Sequence, residues 1–319
     1  MVQEGVLLKN RYQILEKSGK GGSGTVWKVR DERLDLIVGV KEIHMKEKFH
    51  DDKIMSGLFK NEIEIMKSLN YPGLPTFYDA FQMDNKLFIV MSYIEGESLA
   101  RLIQTQGAQE QKKVIEWGKQ LCDILMYLHN HIPPIIYGDL KPANIILHPS
   151  GQLTLIDFGS AFELGKSDSY HLVTHGFSPP EQYSGIVDVR SDIYALGMTL
   201  YQLITGVSIE ALSVELKPIS QINSAVDKKF EWMIKKCIQM NPDMRYQSVK
   251  ALKDDLNSLS DEKEQFMFRS AISILKKIGK RKETKRIFVE PVETYDSEIV
   301  EYNAELLLRL QNPPENTKW

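Results

Sequence analysis

Three glycines, Gly19, Gly21 and Gly24, stand in G-x-G-x-x-G spacing, and the runs on both sides of them read as β-strand. Such a turn lets backbone N–H groups approach phosphate oxygens closely, because no Cβ stands in the way. In a dinucleotide-binding unit the turn must open a helix. Here it is followed by Thr25, Val26, Trp27, Lys28 and Val29, a β-branched and aromatic run that reads as a strand. The turn therefore joins two strands, and the dinucleotide-binding fold is excluded.

The surrounding pattern extends this reading. Tyr12 to Leu15, Thr25 to Arg30 and Leu36 to Ile43 are strand-like. A helix is expected from Phe59 to Leu69, with Phe59, Ile63, Ile65 and Met66 toward one face and Asn70, Pro72 and Gly73 ending it. Strands resume at Thr76 to Phe81 and Leu87 to Tyr93. Beyond Glu95 helical patterns dominate, notably Gln109 to Asn130, Arg190 to Thr205 and Lys228 to Met240. A sheet-rich part followed by a helical part is an α+β arrangement, and 319 residues suffice for two domains or one bilobal unit.

Within this frame a few polar residues stand where chemistry needs them. Lys41 ends the apolar run Ile37, Val38, Gly39, Val40, where a strand would hold one ammonium inside a cleft able to pair with phosphate. Glu62, or Glu64 as its competitor, could reach it from the interrupting helix. In Tyr137-Gly138-Asp139-Leu140-Lys141-Pro142-Ala143-Asn144 a carboxylate, an ammonium and a carboxamide fall at i, i+2 and i+5 between apolar runs. That loop offers a base, a cation and a metal ligand. The strand Leu153 to Ile156 then leads into Asp157-Phe158-Gly159, a second oxygen ligand. Asn144 and Asp157 together suit Mg²⁺, a hard cation that takes few protein oxygens and leaves room for phosphate.

In this order the motifs resemble the eukaryotic-like serine/threonine protein kinases, and the wording around Asn61 to Pro75, Asp139 to Leu147 and Gly176 to Tyr183 resembles their bacterial branch. The resemblance runs from about residue 11 to 258 and implies a bilobal fold: a β-rich N-lobe over 11–91, a hinge at 92–95 and a helical C-lobe over 96–258. It implies a phosphotransferase using ATP and Mg²⁺ on serine or threonine of protein substrates. Carried over by motif, Ser18, Gly19, Lys20, Gly21, Gly22, Ser23 and Gly24 would cover the phosphates, and Lys41 would hold them while paired with Glu62. Val26, Gly39, Met91 and Ile146 would enclose adenine, and the backbones of Ser92 and Ile94 would bond to it. Asp139 would orient the substrate hydroxyl, Lys141 would steady the transferred group, and Asn144 and Asp157 would bind the metal. Thr174 would support Asp139 and Lys141, Glu181 and Arg245 would form a buried ion pair, and Asp192 would anchor the catalytic loop. Met66, Phe77, Tyr137 and Phe158 match the stacked regulatory residues.

The chain departs from the family in three places. Gly138 replaces the arginine that receives an activation-loop phosphate, so Ser160, Ser167, Ser169, Tyr170 and Thr174 are expected to need no phosphorylation. Ser18 stands where a bulky aliphatic often roofs the adenine, and Gly39 replaces alanine. Two alternatives compete with an active protein kinase. A pseudokinase scaffold would have lost one of Lys41, Asp139, Asn144 or Asp157, and all are present. A small-molecule kinase would lack the region of Glu181 and Arg245.

Composition sets the remaining bounds. Lys plus Arg number 40 against 43 Asp plus Glu, a net charge of −3 that excludes a globally basic nucleic-acid binder. The charge is split locally: Lys263 to Arg286 is basic and Ile287 to Trp319 acidic. The extension 259–319 reads as a solvated helix and acidic tail, with an anionic partner for 263–286, nucleic acid or lipid, as the competing reading. Residues Ile299 to Leu310 have helical spacing suited to a regulatory tail. Two cysteines are too few for a disulfide framework, and no apolar run of about 18 residues occurs, so a cytoplasmic protein without a membrane span is expected. His129 and His131 read as surface or capping residues.

Overall fold

The computed structural model describes residues 2–21, 24–43, 52–84, 86–166, 173–209 and 216–259, with backbone alone for 52–56. The basic segment, the acidic tail and Gly22, Ser23, Ser167, Ser169 and Tyr170 lie outside the described residues. The described chain as far as Asn257 forms one packed unit.

Its first part is a six-stranded sheet. The strands are β1 (Leu7–Leu8), β2 (Tyr12–Lys20), β3 (Gly24–Asp31), β4 (Leu36–Ile43), β5 (Phe77–Met83) and β6 (Lys86–Ser92), in the order β1-β2-β3-β4-β6-β5. Helix α1 (Asp52–Ser68) interrupts them. All pairings are antiparallel, and the register follows from alternation along each strand. Trp27, Val29, Val38, Val40, Phe88 and Val90 fall on one face and join Leu8, Tyr12, Ile14 and Phe81 in one apolar cluster. The opposite face carries Val26 opposite Lys41, Gly39 opposite Met91 and Lys41 opposite Ile89. One residue of slip would exchange the two faces, so the apolar alternation fixes Lys41 on the inner one.

The expected strands are all present, and β2 differs most in extent. β2 runs on through Ser18 and Gly19 to Lys20, so these residues belong to a strand rather than to a loop. The amide of Gly21 donates to the carbonyl of Gly24 at 2.8 Å, closing the hairpin. Gly24 itself is required for packing: a Cβ there would fall 2.2 Å from the carbonyl oxygen of Glu42 on β4.

The second part begins with β7 (Glu97–Ser98) and α2 (Leu99–Gln106), a short helix capped by the Ser98 hydroxyl accepting from the Arg101 amide. It continues with α3 (Gln111–His129), β8 (Ile135–Ile136), β9 (Ile145–Leu147), β10 (Leu153–Leu155), β11 (Phe162–Glu163), α4 (Pro180–Tyr183), α5 (Val189–Thr205), α6 (Ile219–Ile222) and α7 (Lys228–Cys237). α5 is buried nearly all round and begins with an Asp188–Ser191 capping box. α3 and α7 pack against it. Cys122 on α3 and Cys237 on α7 are fully buried, and burial raises both thiol pKa values. Among the described residues no helix is long and apolar enough to cross a membrane.

Two glycines of the same sheet give opposite predictions. A Cβ on Gly39 meets nothing closer than 3.5 Å, so Gly39→Ala should stabilise the fold by about 0.5 kcal/mol through reduced unfolded-state entropy. Gly24→Ala forces β4 aside and should cost about 1–3 kcal/mol. Urea unfolding of both variants measures the contrast.

Candidate active site

Lys41 is 4% exposed, and an ammonium so buried requires carboxylate partners. It has two: Nζ lies 2.6 Å from Glu62 Oε1 and 2.7 Å from Asp157 Oδ1. Burial alone would lower the Lys41 pKa, but Asp157 and Glu62 outweigh it and hold the ammonium above its ordinary value. Glu62 is pushed upward by burial, with Lys41 pulling against that rise. The cluster holds one more carboxylate than ammonium, an arrangement that favours a further cation. The choice left open between two acids falls on Glu62. Glu64 is exposed and faces Lys166 at 3.7 Å.

Asp157 adopts φ +70°, a left-handed conformation that costs a non-glycine residue about 1–2 kcal/mol. In it the carboxylate meets Lys41, and the following Phe158 is buried against Tyr137 with ring centroids 5.4 Å apart, edge to face. Met66 is buried as well, whereas Phe77 is half-buried on β5 with Lys67 over its ring.

The second group is built on the loop between β8 and β9. A single 3₁₀ turn over Pro142–Asn144 brings Asn144 back beneath Asp139. The Asn144 Nδ2 donates to the Asp139 carbonyl and to its Oδ2, both at 2.9 Å. Lys141 Nζ lies 2.9 and 2.8 Å from the two Asp139 carboxylate oxygens and donates to Thr174 Oγ1 at 3.0 Å. The Thr174 hydroxyl donates in turn to Asp139 Oδ1 at 2.6 Å. Asp139 is thus a carboxylate fixed by three neighbours, with Lys141 at 21% side-chain exposure beside it.

The loop is suspended from α5. Asp192, fully buried in the first turn of that helix, accepts the amides of Tyr137 and Gly138, each at 2.9 Å. It also contacts His129 Nε2 at 2.9 Å. The surface or capping role expected for His129 is therefore corrected. Its side chain is only 9% exposed and is part of the loop's support. His131 contacts the Pro133 carbonyl through Nδ1 at 3.3 Å. Gly138 has φ +75°, and a Cβ there would lie 2.8 Å from the Ser160 carbonyl, so the loop approaches the segment after Asp157 more closely than a side chain would allow. Arg245, with a fully buried side chain, donates to Glu181 at 2.6 and 2.9 Å and to the carbonyls of Gln239, Arg190 and Met240.

The adenine residues expected from the motif occupy one sheet face and the strand below it. Val26, Gly39 and Met91 share the inner face with Lys41, and Ile146 is half-buried on β9. Ser92, the last residue of β6, donates its amide to the Thr76 carbonyl at 2.9 Å, and Ile94 follows in the connection. Ser18 Oγ lies 3.5 Å from the Tyr93 hydroxyl, an exposed polar contact between the end of β2 and the residue after β6. Asn144 and Asp157 supply oxygen donors of the hard type. Among the described residues no cluster of three or more His, Cys, Asp or Glu could hold a metal ion by itself, so any cation here would take most ligands from elsewhere.

Comparison with known proteins agrees with this geometry. The sequence model of the family described as "Protein kinase domain" matches residues 12–290. The serine/threonine-protein kinase PrkC of Bacillus subtilis is 28% identical over 273 residues, covering 81% of this chain and 42% of that protein. The serine/threonine-protein kinase PknB of Mycobacterium leprae is 30% identical over 270 residues, covering 78% of this chain and 43% of that protein. The chain thus spans about two fifths of the length of these curated relatives. The crystal structure of the Mycobacterium tuberculosis PknI kinase domain has the same fold, with a TM-score of 0.67 at 21% identity over 82% of this chain and all of that one.

Because Arg245 satisfies Glu181 and three carbonyls at once, Arg245→Ala should destabilise the protein by about 3–5 kcal/mol. Arg245→Lys should recover only part of this, since an ammonium cannot reproduce the planar fork. Denaturant midpoints of the two variants check the order.

Proposed function

The chain belongs to the protein kinase family, and on that premise we propose that it transfers the γ-phosphate of ATP to serine and threonine hydroxyls of protein substrates. The observation that carries this reading is the gathering of Lys141, Asn144 and Thr174 around Asp139, each with a polar atom within 2.9 Å of its carboxylate. We assign the catalytic unit to residues 11–258, in keeping with the packed unit ending at Asn257. The extension 259–319 lies outside that unit.

In this reading Asp139 accepts a hydrogen bond from the substrate hydroxyl and directs its oxygen toward the phosphorus. The hydroxyl proton passes to a carboxylate already held by Asn144 and Thr174, so little reorganisation accompanies transfer. Lys141 neutralises charge building on the transferred group. Lys41, held by Glu62, binds the α- and β-phosphates, and the hairpin from Ser18 to Gly24 covers them. Val26, Gly39, Met91 and Ile146 enclose the adenine, and the backbones of Ser92 and Ile94 bond to its edge. Asn144 and Asp157 would hold Mg²⁺, which when bound neutralises phosphate oxygens and orients them. Lysine at the position of Lys141 favours serine and threonine over tyrosine.

Gly138 offers no cation to a phosphate on the segment between Asp157 and Glu181, so activity is not gated by phosphorylation there. Replacing Ser167 and Ser169 by Ala and Tyr170 by Phe together should leave phosphotransfer within about twofold of wild type, since Gly138 gives a phosphate on them no charge-assisted partner. Activity abolished by that change and restored by acidic substitutes would sink the idea.

Asp139→Asn should lower the rate of substrate phosphorylation by about 10²–10⁴-fold while ATP still binds. Radiolabelled transfer to a generic basic protein and ATP titration separate the two effects. Wild-type protein indistinguishable from Asp157→Asn in transfer would identify a scaffold instead.

A further inference from the structure

A kinase without the phosphate-receiving arginine still has to hold α1 and the catalytic loop in register. We propose that the carboxamides of Asn61 and Gln182 are the positioning groups that do this, by fastening the two ends of the segment between Asp157 and Glu181. The inference rests on the phosphotransfer reading above and adds how the active arrangement is kept.

At the proximal end, Asn61 Nδ2 donates to the carbonyl of Ala161 at 2.8 Å. A carbonyl only accepts, so the amide must present its NH₂ group there. Ala161 is 2% exposed, and its own amide donates to the Phe158 carbonyl at 3.0 Å, which closes residues 158–161 into a turn. The Glu62 carboxylate accepts from the Phe158 amide. Two consecutive residues of α1 therefore grip the same turn, and that grip places Glu62 opposite Lys41. The Glu64–Lys166 pair is at the surface and adds little.

At the distal end, Gln182 is 5% exposed and donates Nε2 to the Gly138 carbonyl at 2.9 Å. The Gly138 amide is held by Asp192. Both backbone groups of the residue preceding Asp139 are thus satisfied, one from α5 and one from α4. The left-handed φ of Gly138 and its approach to the Ser160 carbonyl leave no room for a side chain. Anchoring here falls to neutral donors, whose bonds persist in a buried site without any modification.

Asn61→Asp and Gln182→Glu keep side-chain shape but turn a donor toward the carbonyl into an acceptor, so each removes that bond and sets like partial charges against each other. Each variant would be made in the full chain, phosphatase-treated, and assayed at saturating Mg·ATP with a generic basic protein. Asn61→Asp should lower kcat about tenfold at a temperature where the variant is still fully folded, with a modestly lowered unfolding midpoint, and Asn61→Gln, which keeps the donor, should recover most of both. Hydrogen exchange should show about tenfold less protection of the α1 amides in Asn61→Asp. Wild-type kcat together with wild-type α1 protection in Asn61→Asp overturns the proposal. Should Gln182→Glu fail to fold, Asn61→Asp, at a half-exposed position, still decides. Should the wild type transfer no phosphate, the functional reading falls, and α1 protection alone judges the fastening: equal protection in both proteins overturns it.

Discussion

The site depends first on one fully buried carboxylate. Asp192 has no exposed surface, and a charge in that position costs several kcal/mol unless hydrogen bonds and dipoles replace water. The first turn of α5 supplies a favourable dipole, and two backbone amides and His129 supply the bonds. The requirement acts in both directions. Asp192 needs the amides of Tyr137 and Gly138, so those residues must lie against the most deeply packed helix. Asp139, next in the chain, inherits the rigidity of the core although its side chain keeps some exposure. Catalytic constellations tolerate little displacement, and this coupling is how a loop can supply one.

The sheet imposes a comparable constraint on the other half. Alternation along β3, β4 and β6 assigns Trp27, Val29, Val38, Val40, Phe88 and Val90 to one face and leaves Lys41 on the other, opposite Val26 and the buried Ile89. The ammonium cannot remain there unpaired, so α1 must bring Glu62 and the chain must bend at Asp157 to bring its carboxylate. The backbone strain at Asp157 is offset by that contact. Packing and electrostatics thus lead to the same arrangement from different directions.

Part of the site was legible in the sequence. Lys41, Asp139, Lys141, Asn144 and Asp157 stood out from their own settings and spacing, Thr174, Glu181, Asp192 and Arg245 only through the family resemblance, and the strand runs were readable from their β-branched content. Glu62 was ambiguous, although helical phase separates it from Glu64: Ile65 and Met66, three and four residues on, are buried. The same signal was available for His129, which follows buried Cys122 by seven residues and Leu125 by four. Asn61 and Gln182 offered no such signal. Their partners are carbonyls of the main chain, which every residue possesses, so no complementary side chain elsewhere marks them. Gly24 carries a second constraint that its spacing does not reveal, since a Cβ there would meet the backbone of β4.

The two cysteines have a practical consequence. The thiolate is the reactive form, and both thiols are buried with their pKa values raised. Maleimide and iodoacetamide dyes therefore find no native target in the folded chain. A single reporter thiol introduced on the exposed side of α1 or on the hairpin can be labelled without first removing Cys122 or Cys237, and the core that holds α3 against α5 stays intact.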